Sequence, residues 1–540
     1  MKYIGRSDIL KGMSFKDSLD KPQYDMLAMG ILVKNDQYKP LLDYVTCYPT
    51  THDRERYYIS LQKCDFLPVK PQNSAYSLAI KFTKTMYGFM KGIKGSGIFK
   101  YNTSSTAGVP YNRITDSNGK LLMHKVDLVN SPDFPKEMER GHTPIFQGTT
   151  KFEYMPISDL KNKKQRTFFG SEGPECFKQK ILWDNCDSLM TARSTNWYTC
   201  WSRYGFVKQY GGINRLAQAH LGLCKKLERD SLGFVHMTSD VSGWDRVLPV
   251  MPEVYQIRGE LYGEMNDLER SWFSGISQSL TSPYFSTTEG DIFQRFCGNM
   301  SGSGKTTSDN TIGHTIIKFY VFIKLYYDMY DQYPTYDDIT DYVVISLYGD
   351  DDLTSLYPED WIESADPLEL KNKIRDIYLE FGLTIKESAF TVQDTIDGLE
   401  FLGSTFRNDG TDYYYGQPRY DKICSSIFQY LEKQKTGEAY CSTSMAVEYL
   451  ICGLTDPIAL LIKQFNRDYA RQIIVNHEHE LDRVNIAYLR DIAAGTFNSE
   501  MLATGFESNL GCALLSEEFQ YELHNFKFEF LSGFIPLSNT

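Results

Sequence analysis

The chain has 540 residues, 42% of them hydrophobic, and a formal net charge of −12. Such a length buries a large core and accommodates several lobes. The acidic balance excludes a simple coat or packaging protein, which would carry a basic surface over the whole chain, but is compatible with a local basic channel beside an acidic site.

The first residues, Met1-Lys-Tyr-Ile-Gly-Arg, contain no apolar signal core. Residues 1 to about 95 mix short apolar runs with polar turns and carry no motif. Residues 96–120 are rich in Gly, Ser and Thr and read as loop. Residues 151–180 are locally basic, with Lys161, Lys163, Lys164 and Arg166 clustered. The run Phe234-Val-His-Met-Thr-Ser reads as a strand leading into Asp240. Ile312, Ile316, Phe319, Tyr320 and Ile323 recur at helical spacing. Tyr342-Val-Val-Ile-Ser-Leu-Tyr is β-branched and aromatic, turns at Gly349-Asp350-Asp351, and continues into Leu353-Thr-Ser-Leu. That pattern predicts a hairpin with carboxylates at its tip. A helix is expected near 368–381, then a short strand containing Lys386, and mostly helix from about 420 onward. No apolar run approaches the ~18 residues of a membrane span. The 11 Cys are scattered without a CxxC pair, which favours free thiols in a reducing compartment. The 38 Tyr and 32 Phe are read mainly as core.

Three segments carry chemistry. Asp240-Val-Ser-Gly-Trp-Asp245 and Tyr348-Gly349-Asp350-Asp351 supply hard carboxylate oxygens of the kind that hold Mg²⁺ together with substrate phosphates. Between them, Ser301-Gly-Ser-Gly-Lys-Thr-Thr-Ser-Asp-Asn310-Thr supplies a glycine-rich loop and a helix start. Taken singly, each has a plainer explanation: a Gly/Asp surface turn for the acidic pair, a capped helix start for the third. Gly302-Ser303-Gly304-Lys305-Thr306 also resembles the end of a phosphate-binding P-loop, but the first glycine of that pattern would fall on Asn299. His477-Glu-His479-Glu is read as a solvated face rather than a metal site, and Trp244 as packing.

In this order the three segments resemble motifs A, B and C of viral RNA-dependent RNA polymerases, and DxSGWD is similar to sobemovirus-like enzymes. Ser105-Thr-Ala-Gly108-Val-Pro110-Tyr111 resembles motif G of picornavirus-like enzymes. The basic segment resembles motif F, Lys386 occupies a motif D place, and Phe401-Leu402-Gly403-Ser404 resembles motif E. The resemblance spans roughly residues 100–410. It implies an α/β right-hand fold of fingers, palm and thumb, with an RRM-like antiparallel palm sheet and fingertips closing on the thumb. The expected lobes are an N-terminal extension and fingertips (1–95), fingers (96–185 and 263–296), palm (186–262 and 297–410) and helical thumb with tail (411–540).

The same resemblance implies the roles. Asp240, Asp350 and Asp351 would hold two Mg²⁺ ions, with Mn²⁺ the alternative, for nucleotidyl transfer. Asp352 follows directly and leaves the choice of ligands open. Asp245 and Asn310 would contact the ribose 2′-OH with Ser301 in support, and Gly302 and Thr306 would belong to the same NTP- and ribose-binding set. Lys164 and Arg166 would neutralise triphosphate, and Lys386 would protonate the leaving pyrophosphate as a general acid. Ser105, Gly108, Pro110 and Gly403 would line template and primer. The implied partners are RNA template, nascent RNA and NTPs, with capsid or other replication proteins. The implied location is host cytoplasm or virion interior, with no membrane span. A reverse transcriptase, a P-loop ATPase or helicase, and a decayed palm scaffold are the rival readings. The tail from Phe526 to Thr540 is a candidate regulator of initiation.

Overall fold

The computed structural model describes residues 1–17, 23–95, 101, 105–140, 143–209, 211–408, 410–429 and 436–497. The tail read as a regulator lies outside them.

At the centre is a four-stranded antiparallel sheet ordered Thr391–Gln393, Val235–Ser239, Asp351–Leu356, Val343–Tyr348. All six residues of Val343–Tyr348 are buried. This explains a run in which polar residues do not alternate: both faces of the sheet are covered. One face packs on the long helix Thr306–Tyr330, the other on the helix Gly212–Lys226. The Thr306 helix is buried almost continuously from Ser308 to Leu325, and its buried polar residues, Asp309, His314 and Lys318 among them, are bonded to surrounding elements. Each Ile or Phe so enclosed contributes roughly 1.5–3 kcal/mol of transfer free energy.

A second, five-stranded sheet joins Lys2–Arg6, Asp291–Gln294, Tyr284–Ser286, Ile145–Thr150 and Thr167–Gly170 in that order. Its only parallel pair among the described residues is Ile145–Thr150 with Tyr284–Ser286. A three-stranded sheet, Glu400–Phe401, Ser404–Asn408 and Tyr414–Pro418, follows the central one.

The C-terminal part of the described chain is helical: Tyr420–Phe428, Gly437–Leu450, Pro457–His477 and Arg483–Ala494. It shares one core with the N-terminal helix Met26–Lys34, through Ala28, Ile31 and Leu32 against Ile423, Phe428 and Tyr469. Polar contacts fix the same docking. The Asp25 amide donates to the Phe428 carbonyl at 2.8 Å, the Tyr440 hydroxyl to Asp25 Oδ2 at 2.8 Å, and the Tyr38 hydroxyl to Asp468 at 2.6 Å. The N-terminal segment around the helix Met26–Lys34, which bears no motif, is therefore clasped to the helices that follow Tyr420.

Three details depart from or sharpen the sequence reading. Lys386 is not in a strand; it is the N-cap of the short 3-10 helix Glu387–Ala389, and its neighbour Ile385 makes a single bridge to Val241. His477 ends the Pro457 helix and its Nδ1 lies 2.9 Å from Glu480 Oε1. The ten cysteines of the described residues are all free thiols. Among the described residues no helix is long and apolar enough to cross a membrane.

Candidate active site

Strand register builds the site. Tyr348 pairs with Asp351, so Gly349 and Asp350 form a two-residue turn, and Gly349 takes φ +64°, which favours glycine. On the other side Asp352 pairs with Ser239. One step further along the same register, Asp351 lies beside Asp240, the residue after the strand. The register thus brings the backbone positions of Asp240, Asp350 and Asp351, from two chain segments, to one end of the central sheet.

The turn is clamped from beneath by the Thr306 helix. The Gly349 amide donates to Thr311 Oγ1 at 2.9 Å, and that hydroxyl donates on to the Thr307 carbonyl at 2.8 Å. His314 Nδ1 lies 3.1 Å from the Gly349 carbonyl, and its Nε2 lies 3.1 Å from the Tyr378 hydroxyl. A carbonyl only accepts, so Nδ1 carries the proton and Nε2 accepts from Tyr378. Burial holds His314 neutral, with its pKa pushed down to about 4. Trp244 is buried against the same ring, 4.5 Å between centroids.

Alternation along the strand decides the role of Asp352. It points away from Asp351, into the sheet face covered by the Thr306 helix. There it is buried and bonded to Lys318 Nζ, to Ser239 Oγ at 2.8 Å and to Thr354 Oγ1 at 2.8 Å. Burial alone would raise this carboxyl, but Lys318 outweighs it and holds the pKa below the ordinary aspartate value. Asp352 is therefore occupied as one half of a buried ion pair.

The middle segment is a loop followed by a helix, as read, and Thr306 is the first helical residue. Asn310 Nδ2 donates to Asp245 Oδ1 at 2.7 Å, while Asn299 Nδ2 donates to Asn310 Oδ1 at 3.1 Å. The amide orientation of Asn310 is thereby set. Arg295 Nη2 holds the backbone carbonyls of Asp245 and Arg246, each at 3.1 Å. Thr306 Oγ1 closes the loop on the Met300 carbonyl at 2.8 Å.

The loop is also zipped to the strand Thr167–Gly170 that follows the basic segment. Ser301 Oγ accepts from the Phe169 amide at 3.1 Å, Gly302 bridges Gly170, and Ser171 Oγ donates to the Gly302 carbonyl at 2.8 Å. A Cβ on Gly302 would sit 2.3 Å from the Phe169 carbonyl oxygen, so only glycine permits this approach. Lys305, the lysine of the P-loop reading, is buried and bonded to Asp184 and Asp187. It is not presented to any phosphate, which removes the P-loop alternative.

Of the remaining predicted residues, Lys386 touches this centre, and the others have the partners that follow. Lys386 Nζ is bonded to Asp240 Oδ2, and its amide donates to the Asp240 carbonyl at 3.0 Å. Lys163 pairs with Glu55, Lys164 with Asp159 at 2.6 Å, and Arg166 lies 3.7 Å from Glu153; all three cations are at least half exposed. Two cations that sequence reading missed join them. Burial lowers the pKa of Lys63, helped by Arg246 and Lys164, and burial likewise lowers that of Arg246, which also feels Arg166 and Asp245. Gly108, at φ +79°, packs on Ser171 and Glu172 at the start of the helix Gly173–Arg193, and the Lys125 amide donates to the Ser105 carbonyl at 2.9 Å. Pro110 follows a cis peptide bond and begins a 3-10 turn. Leu402 and Gly403 both have positive φ and close the hairpin between Phe401 and Ser404, held by Lys208 Nζ on the Leu402 carbonyl at 2.6 Å.

The family model "Viral RNA-dependent RNA polymerase" matches residues 61–451, most of the chain. The chain belongs to the viral RNA-dependent RNA polymerases. The polymerase is 26% identical over 247 residues to the genome polyprotein of Bean common mosaic necrosis virus (strain NL-3), covering 45% of this chain and 7% of that protein. It is 29% identical over 139 residues to the non-structural polyprotein 1AB of Turkey astrovirus 2, covering 26% of this chain and 8% of that one. The polymerase thus corresponds to less than a tenth of these relatives' length. Among solved structures it is similar to the Sicinivirus 3Dpol RNA dependent RNA polymerase, with a TM-score of 0.58 and 14% identity, covering 90% of this chain and 98% of that one. The fold is therefore the viral polymerase fold, a mixture of helices and antiparallel sheets.

The carboxylates also fit the divalent cations that the family generally uses. Their donors are hard oxygens only. Among the described residues no three His, Cys, Asp or Glu side chains converge tightly enough to hold a cation alone.

Proposed function

We propose that this chain synthesises RNA on an RNA template from nucleoside triphosphates, replicating and transcribing the genome of an RNA virus. One observation carries the reading: the register that sets Asp240 beside Asp351 and Asp350 at one sheet edge, next to the Asp245–Asn310 pair.

In this reading Asp240, Asp350 and Asp351 hold two Mg²⁺ ions, with Mn²⁺ as a substitute. Bound there, the cations neutralise charge on the attacking 3′-oxygen and on the departing pyrophosphate. Asp245 and Asn310 receive the ribose 2′-OH, which both donates and accepts. Lys164 and Arg166, with Lys63 and Arg246 behind them, balance the charge of the triphosphate; their local acids release them when a stronger anion arrives. Lys386 gives its proton to the pyrophosphate oxygen, having been held against Asp240 until the site fills. Ser105, Gly108 and Pro110 guide the template, and Gly403 supports the primer end. Ser301, Gly302 and Thr306 fix the loop between these parts. Base choice comes from pairing with the template, and contacts to the RNA backbone weaken with salt.

The lobes follow: an N-terminal extension with fingertips to residue 95, fingers 96–185 and 263–296, palm 186–262 and 297–410, and thumb from 411. Capsid or other replication proteins are the remaining proposed partners.

The test is nucleotide incorporation on a short primed RNA template with Mg²⁺, offering NTPs or dNTPs to wild type and to Asp350→Ala. Templated RNA product lost in the variant is expected. Preference for dNTPs would favour a reverse transcriptase instead, and absence of product from folded wild type would count against polymerase activity of the isolated chain.

A further inference from the structure

A buried charge network lies directly beneath the sugar-contacting pair. Lys305 reaches from the loop to Asp184 and Asp187 on the Gly173 helix, with Asp187 Oδ2 at 3.1 Å. Ser308 Oγ donates to the same Asp187 Oδ2 at 3.0 Å. From the helix Met251–Tyr262, Arg258 Nε meets Asp309 Oδ1 at 2.6 Å and its Nη2 donates to Ser308 Oγ at 2.9 Å. Arg258 Nη1 lies 3.5 Å from Asp187 Oδ1, and the Tyr255 hydroxyl donates to Asp309 Oδ2 at 2.7 Å. Of these groups only Asp184, 30% exposed, reaches solvent.

Two cations, Lys305 and Arg258, and three carboxylates, Asp184, Asp187 and Asp309, thus tie the N-cap residue 305 and the first-turn residues 308 and 309 of one helix to two neighbouring helices. The next residue is Asn310. Ion pairs this deep are a poor source of stability, because desolvation offsets their attraction. What they impose is geometry, since each charge tolerates little displacement from its partners. Burial works against the charge on Lys305, yet Asp187 and Asp184 outweigh it and hold its pKa above the usual lysine value. Burial likewise opposes the charge on Arg258, which Asp309 and Asp187 outweigh.

We propose that Lys305 and its partners Asp187, Arg258 and Asp309 are positioning residues for sugar selection. They set the rotation and height of the first turn, and so the placement of the Asn310 amide against Asp245. The inference rests on the reading of Asp245 and Asn310 as the ribose contact. Without Lys305, Asp187 lacks its main counter-charge and sits near Asp309, a second buried carboxylate. The turn relaxes, the 2.7 Å bond from Asn310 to Asp245 loses its alignment, and contacts that exist only for a 2′-OH weaken.

The experiment compares kcat/KM for an NTP and its dNTP in single-nucleotide incorporation by the full chain. Lys305→Met should lower the NTP-over-dNTP ratio by about 10- to 100-fold, chiefly by slowing the ribonucleotide. Lys305→Met with Asp187→Asn, which removes both charges, should regain much of the ratio. A merely structural role would slow both nucleotides alike, and an unchanged ratio overturns the proposal. Should Lys305→Met fail to fold, Asp184→Asn, which alters only the solvent-edge partner, is measured in its place. A smaller drop in the ratio supports the proposal and an unchanged ratio overturns it. Asn310→Ala separates the two levels. If that variant keeps full discrimination, the ribose reading itself fails; if it loses discrimination while Lys305→Met does not, only the network's role fails.

Discussion

Lys318→Met tests the assignment of Asp352. Lys318 and Asp352 are 4% and 1% exposed. Without the ammonium, Asp352 keeps only the hydroxyls of Ser239 and Thr354 as donors. Breaking a buried pair from one side costs about 3–5 kcal/mol, or two to four decades in the ratio of folded to unfolded chain. Replacing both partners, Lys318→Met with Asp352→Asn, removes the orphaned charge and should return most of that loss. The assay is thermal or urea unfolding at pH 7, followed by tryptophan fluorescence. The pH dependence has a defined sign. The Asp352 pKa is lower in the fold than in the unfolded chain. Its stabilisation is therefore complete above the ordinary aspartate value of about 4 and is lost as pH falls through the lower, folded value. At a permissive temperature Asp352→Asn should still incorporate nucleotide, whereas Asp350→Asn should be folded and inactive. Equal instability of single and double variants would refute the reasoning, as would an Asp352→Asn chain that is fully stable but catalytically dead.

Gly302→Ala places a methyl group 2.3 Å from the Phe169 carbonyl oxygen and 2.9 Å from Gly170 Cα, so the loop must leave the strand. A shift near 1 Å is worth about 100-fold in rate, and primer extension should show that loss with only a modest change in melting temperature. Normal activity would mean that this close approach is dispensable. His314 titrates near 4 in the fold against 6.5 ordinarily. Between those values the unfolded chain takes up a proton that the native one refuses, so stability falls as pH drops from 6.5 towards 4, by at most about 3 kcal/mol for this group. His314→Gln should flatten the slope of melting temperature between pH 7 and 5 without abolishing it, because His236, also pushed down to about 4 by burial, still contributes. Identical slopes in both proteins would contradict this.

The sequence exposed what is local. The run 343–348, the Gly349 turn and the loop-to-helix start at Thr306 each follow from residues adjacent in the chain, and the structure places them as read. Facing and pairing were harder to see. Asp351 and Asp352 face opposite sides of the sheet because a strand alternates, and a lone lysine in the apolar run around Lys318 is a readable sign of a buried partner. Lys305 showed only a P-loop fragment, because Asp184 and Asp187 lie more than a hundred residues earlier. The residues around Lys386 read as a strand, yet Glu387-Ser-Ala turns into a 3-10 helix at once. The helix Met26–Lys34 bears no motif, since its core partners, Ile423, Phe428 and Tyr469 among them, lie far along the chain. Spacing could not choose among Lys161, Lys163 and Lys164, and Lys63 and Arg246 join that region only through the fold.

The central claim is that Asp240, Asp350 and Asp351 form one divalent-cation site shared with nucleotide. The direct measurement is Mn²⁺ binding by electron paramagnetic resonance, with and without a non-hydrolysable nucleotide, in wild type and in Asp240→Asn and Asp350→Asn chains of unchanged melting temperature. Nucleotide should tighten Mn²⁺ binding in wild type, and either substitution should abolish that gain. Equal binding in all three proteins would place the cations elsewhere and contradict the account.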